Sequence, residues 1–87
     1  AAIQGSPDTP DYYAEEASNY VRQQKYEDAL KSIERAIAIA PDFGACYRLR
    51  GVCYVRLKKK TEACEAFNKA KELGDPLAGK LIKEHCK

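Results

Sequence analysis

Residues 13–22 read YAEEASNYVR, and residues 47–56, displaced by 34 positions, read YRLRGVCYVR. The displacement places Tyr13 on Tyr47, Tyr20 on Tyr54, Val21 on Val55 and Arg22 on Arg56, with small Ala17 on small Gly51. Carried outward in the same frame it places Lys25 on Lys59, Ala29 on Ala63 and Ala36 on Ala70, and pairs Ile33 with Phe67 and Ile39 with Leu73. A period of this length is the mark of stacked helix pairs, in which each unit buries its apolar face against the next.

Each unit contains two helical patterns. Tyr13, Ala17, Tyr20 and Val21 recur at helical spacing, and after the polar break Gln23-Gln24-Lys25 the same spacing returns in Ala29, Ile33, Ala36 and Ile37. Thr9 before Pro10 and Asp11 supplies a hydroxyl cap, a proline at the first helical position and an acid in the first turn. Pro41 ends the second helix. The second unit is expected over about 44–57 and 60–73, with Gly74 suited to the left-handed conformation that closes a helix. Asp75-Pro76 then opens a fifth pattern in which Leu77, Leu81, Ile82 and Cys86 line one face, expected to be a helix that covers the open end of the stack. The expected organisation is therefore all-α: a flexible linker or remnant over 1–8, and one domain over 9–87 made of a first repeat (10–43), a second repeat (44–76) and a capping helix (76–86).

Bulk properties narrow the function classes. The chain has 87 residues, 45% hydrophobic and 32% charged, which suits a single small folded domain of modest stability. Fifteen basic against thirteen acidic residues leave a net charge of +2, too little for a global field that would attract nucleic acid. No apolar run approaches the roughly 20 residues of a membrane span. The start, AAIQGSPDTP, has neither a charged beginning nor an apolar middle, so it does not read as an intact signal peptide. A soluble chain, cytoplasmic or exported, is expected.

The order aromatic (Tyr13, Tyr47), small (Ala17, Gly51), aromatic (Tyr20, Tyr54), Ala (Ala29, Ala63), large apolar (Ile33, Phe67), Ala (Ala36, Ala70), then Pro, resembles the tetratricopeptide repeat family. The resemblance covers about residues 9–87 and implies a right-handed α-solenoid of antiparallel helix pairs, five helices in all. Small residues on facing helices permit close approach, and large ones fill the wedge on either side. Two departures stand out. Glu16 and Arg50 replace the family's usual Leu and are expected to pair across the stack, and the second unit is one residue longer than the first. The last segment is also similar to the final repeat of some bacterial members, which suggests Lys87 as a natural C-terminus.

The resemblance implies a non-catalytic scaffold that holds a protein or peptide on a concave face lined by the first helix of each repeat. The residues so assigned are Ser18, Val21, Arg22, Arg48, Val52, Val55 and Arg56, with Asp11, Ala14 and Ala45 beside them. Arginines around small and apolar positions suit a peptide bearing acidic side chains or a terminal carboxylate. The competing reading of those arginines is a solvated face whose stems cover apolar neighbours. The family's chaperone-binding clamp needs Lys and Asn where this chain has Ala14, Ser18 and Leu49, so that activity is not expected. A second functional reading is self-assembly through the repeat faces, giving a monomer or weak homo-oligomer.

Other chemistry is poorly represented. Lys58-Lys59-Lys60 falls in a turn without interleaved aromatics, so nucleic-acid binding is not expected. His85 is the only histidine, and no Ser elbow, phosphate loop or metal-binding His pair accompanies it. Neither a metal nor another cofactor is expected, and no catalytic residue is assigned. Of the four cysteines, Cys53, Cys64 and Cys86 fall at one height when the helices are folded back at their turns. Two readings stay open: a Cys64–Cys86 disulfide that pins the capping helix and closes a loop of about 20 residues, worth about 3 kcal/mol, or buried thiols acting as small hydrophobes.

Overall fold

The computed structural model describes residues 9–86. Five helices follow in chain order: α1 (Pro10–Arg22), α2 (Tyr26–Ile39), α3 (Gly44–Arg56), α4 (Lys60–Glu72) and α5 (Ala78–His85). No strand occurs among the described residues. The linker expected over 1–8, and Lys87, lie outside them.

Helix α1 starts where the sequence placed a cap. The Thr9 hydroxyl accepts from the Tyr12 amide at 3.2 Å, and Pro10 occupies the first turn. The ends of α1, α3 and α4 share one device. Gln24 and Lys58 take φ of 64° and Gly74 takes 90°, and the following amides of Lys25, Lys59 and Asp75 reach back to the carbonyls of Tyr20, Tyr54 and Ala70 at 2.8, 2.8 and 3.0 Å. Left-handed residues at these positions turn the chain sharply and satisfy carbonyls that the helix leaves open. Gly74 adopts that conformation without cost, whereas Gln24 and Lys58 carry a Cβ into it.

Helices pack in sequence order, α1 on α2, α2 on α3, α3 on α4 and α4 on α5, with a lighter contact between α1 and α3. The 34-residue frame is visible in the packing. Ala17, Ala29, Ile33 and Ala36 of the first repeat are fully buried, as are Ala63, Phe67 and Ala70 of the second. Gly51 of α3 lies against the Phe67 ring so closely that a Cβ there would overlap it, with Phe67 Cζ 2.9 Å away. In the first repeat the same frame positions hold Ala17 and Ile33, both fully buried in one cluster, so the smaller first-helix residue of repeat two goes with the larger second-helix residue. Cys46 and Cys53 are fully buried and join the cluster of Ala17, Ala29, Ile33 and Ala36, with Leu49 half-buried beside them. This row of α3 is the interface between the repeats.

Two local expectations, a Glu16–Arg50 pair and a capping helix that starts at 76, are corrected. Glu16 and Arg50 do not pair: the Ser32 hydroxyl donates to Glu16 Oε1 at 2.7 Å, and the Arg50 guanidinium lies over the Tyr54 ring, 5.8 Å from its centroid. Ser32 is itself buried, so Glu16 is drawn inward to a hydroxyl on its own repeat's second helix rather than across the stack. Cys53 shares a height with Cys64 but points the other way, into the interface with the first repeat. The fifth helix begins at Ala78, because Asp75 to Leu77 form a turn in which Asp75 Oδ1 accepts from the Leu77 amide at 2.8 Å.

Candidate functional site

The first helices of the two repeats present a shared face. Asp11, Ala14, Glu15 and Ser18 of α1 meet Ala45, Arg48 and Leu49 of α3 around one cavity of about 330 Å³. Further along the same helices follow Val21 and Arg22, then Val52, Val55 and Arg56. Ala14, Ser18, Val21, Ala45, Val52 and Val55 are all half-buried, so the floor is small and apolar with one hydroxyl.

The three arginines assigned to this face differ. Arg48 is half-buried, and its Nε donates to Asp75 Oδ2 at 2.9 Å. The Asp75 side chain is only 5% exposed, and its other oxygen holds Leu77, so this ion pair ties α3 to the turn before α5. Arg22 and Arg56 are exposed at the C-terminal ends of α1 and α3, and among the described residues neither has an ion-pair partner. Positive charge there also complements the helix dipoles. At the same rim Val55, Lys58, Lys60, Glu84 and His85 border a second cavity of about 400 Å³, so the last turn of α5 closes one side of the face. The first cavity carries Asp11 and Glu15 beside the Arg48–Asp75 pair, and the second carries Lys58 and Lys60 with Glu84. Among the described residues, unpaired acids therefore lie toward one end of these helices and most of the free bases toward the other.

The remaining candidates fall elsewhere. Tyr12 is 45% exposed and meets Tyr13 edge to face at 5.2 Å. His85 stacks on the buried Phe67 ring at 5.9 Å and serves packing. Among the described residues no cluster of three or more His, Cys, Asp or Glu could hold a metal ion. No described helix is long and apolar enough to cross a membrane. Burial pushes the Cys46 and Cys53 thiols up to about 11, assisted at Cys46 by the Asp11 carboxylate. A thiol held neutral in this way is a poor nucleophile. The structure sets Cys64 and Cys86 in disulfide geometry, Cα atoms 5.7 Å apart, joining α4 to the end of α5.

Sequence reasoning missed both polar contacts that organise the site's surroundings, Ser32 with Glu16 and Arg48 with Asp75. A signal existed for the first: Glu16 and Ser32 are polar residues on the inward stripes of two facing helices, which calls for mutual satisfaction. The second joins residues 27 apart and has no counterpart in the first repeat, where the same frame places Ala14 and Pro41. The first helices start at 10, 44 and 78, so the expected extra residue of repeat two is not present in the helix spacing.

Comparison with known proteins agrees with this architecture. The family model described as tetratricopeptide repeat matches residues 15–78. The DnaJ homolog subfamily C member 3 homolog of Dictyostelium discoideum is 40% identical over 63 residues, which cover 68% of this chain and 12% of that protein. The similarity therefore spans about one eighth of the relative's length.

Proposed function

The chain belongs to the tetratricopeptide repeat family, whose repeats are generally protein-interaction scaffolds, and on that premise we propose that it holds a peptide segment of a partner protein on the α1–α3 face without catalysing a reaction. The observation that carries this reading is the unspent chemistry of that face: an apolar, small-residue floor ending in Arg22 and Arg56, which have no ion-pair partner among the described residues. A segment with acidic side chains or a terminal carboxylate at one end complements it, since a guanidinium holds a carboxylate with two parallel hydrogen bonds. The polarity of the groove orients such a segment with its acidic end toward Arg22 and Arg56. Arg48 contributes to the wall while anchored by Asp75.

The ends of the stack favour this face over self-assembly. The row of α3 that packs on the first repeat is Cys46, Leu49 and Cys53, whereas the matching row of α1 is Tyr12, Glu15 and Asn19, all exposed. On α5 the outward residues Lys80, Lys83 and Glu84 are likewise exposed. End-to-end stacking of two copies takes those charges and polar groups out of water, and even paired charges repay that cost poorly when buried.

The test is a peptide array displaying free and amidated C-termini with varied acidic content, probed with the intact chain. Ligands so selected are measured against the Arg22→Glu/Arg56→Glu variant and a Lys31→Glu/Lys71→Glu control on the second helices, with helicity checked for each. Loss of binding by tenfold or more in the first variant alone supports the reading. Equal binding by both variants, or selection of basic peptides, removes it.

A further inference from the structure

The chain sorts its cysteines into two environments. Cys46 and Cys53 have no exposure and neutral thiols, enclosed between the repeats. Cys64 and Cys86 are half-buried and themselves line an open cavity of about 430 Å³, with Lys60, Thr61, Glu65 and Asn68 around it. A small dithiol or the tip of a reducing protein can enter there, and it meets the disulfide without unfolding the core. We propose that Cys64–Cys86 is a thiol–disulfide exchange site at which a dithiol reductant controls whether α5 is fastened to the stack.

The surroundings define the direction of the exchange. Cys64 lies in the second turn of α4, one helical turn after Lys60, on the same side of the helix. The Lys60 ammonium, which lines the same cavity, stabilises negative charge at Cys64, while Glu65 and the His85 carbonyl, 3.9 Å from Cys64 Sγ, oppose it. Cys86 caps the carbonyl end of α5, where negative charge is disfavoured, so Cys64 beside Lys60 is the better leaving group and the attacked sulfur is that of Cys86. One reductant thiolate attacks Cys86 Sγ, forming a mixed disulfide and expelling Cys64 as thiolate, which takes up a proton. The second reductant thiolate then closes on the first, forming the reductant's own disulfide and releasing Cys86. Two electrons and two protons pass from the dithiol to the protein.

The consequence follows from how α5 is held. Its first end is fastened by the Asp75 turn and by Ala78, which is fully buried, and its far end by the disulfide. Between them Leu81 and Ile82 are half-buried and His85 stacks on the Phe67 ring. An eight-residue helix has little stability of its own. Without the covalent tie α5 frays backward from Cys86, lifting His85 from Phe67 and uncovering the apolar end of the second repeat.

The experiment uses the intact oxidised chain, titrated with dithiothreitol under native conditions, alkylated with iodoacetamide and mapped by peptide mass, with amide exchange followed in parallel. Expected are labels at Cys64 and Cys86 while Cys46 and Cys53 stay unlabelled, and exchange over residues 78–86 accelerated at least tenfold while α1 to α3 keep their protection. The Cys86→Ser variant should show a label at Cys64 and the same accelerated exchange without reductant. The proposal is overturned by any of three results: no Cys64–Cys86 link in the oxidised peptide map, labels at all four cysteines in a single step, or α5 protection that survives reduction or the Cys86→Ser substitution.

Discussion

Replacing Gly51 by alanine tests the repeat register at its tightest point. Alanine in a helix interior is worth about 1 kcal/mol over glycine, so an unobstructed site would gain that much. At Gly51 the new methyl overlaps the Phe67 ring, which is fully buried on one helix and stacked on His85 of another, so the ring has no free rotamer to retreat into. Overpacking of this kind costs about 1–3 kcal/mol. The overlap involves several ring atoms, so the upper part of that range applies, for a net loss of about 1–2 kcal/mol and a fall in Tm of about 5–10 °C. The first repeat suggests the remedy, since the same frame positions there hold Ala17 and Ile33, both fully buried in one cluster. Phe67→Ile alone should cost about 1–2 kcal/mol through the space it leaves. Gly51→Ala combined with Phe67→Ile should cost about 1 kcal/mol or less, well below the sum, a coupling of about 2 kcal/mol. Gly79→Ala is the control: nothing stands within 4 Å of a Cβ there, and the substitution should stabilise by about 0.5–1 kcal/mol. The assay is urea unfolding followed by far-ultraviolet circular dichroism on the four variants. Additive losses in the double variant, or a Gly51→Ala chain as stable as the parent, would refute the correspondence of the two repeats.

Asp75→Ala should destabilise by about 2 kcal/mol in the same assay, because it strands the half-buried Arg48 and removes the acceptor for the Leu77 amide; an unchanged midpoint contradicts the anchoring role. Lys58→Gly should stabilise by about 0.5–1 kcal/mol, since its φ of 64° suits glycine. Reducing Cys64–Cys86, which closes a 22-residue separation, should lower stability by about 3 kcal/mol. Cys46 and Cys53 ionise at about 9 when unfolded and at about 11 when folded. Their raised folded values make their contribution full below pH 9, and it is lost as pH rises from 9 to about 11, each thiol removing up to about 1.4 kcal/mol per pH unit. Unfolding curves of the parent and of Cys46→Ala/Cys53→Ala across that window measure the difference, and equal slopes contradict it.

Much of the fold was legible because helical spacing and a second copy of the same pattern supply independent readings of each position. Tyr13 alone is one aromatic; Tyr13 with Tyr47, in frame with Ala17 and Gly51, identifies a helix pair. The register also brought Cys64 level with Cys86. Side-chain direction was less legible. Cys53 shares their height, yet the helix turns it toward the first repeat, and height carries no information about azimuth. Glu16 and Arg50 were level too, but a buried hydroxyl at Ser32 offered Glu16 a nearer partner. Arg48 illustrates a further limit: its place on the first-helix face was readable, whereas its tie to Asp75 has no copy in the first repeat, which carries Ala14 and Pro41 at those positions.

Amide exchange of the intact chain, free and saturated with a peptide selected on the array, tests the binding account most directly. The account predicts added protection over α1 and α3, centred on Ser18 to Arg22 and Val52 to Arg56, with α2 and the outer side of α5 unchanged. Protection confined to α2 and α4, or to the outward faces at either end of the stack, contradicts it.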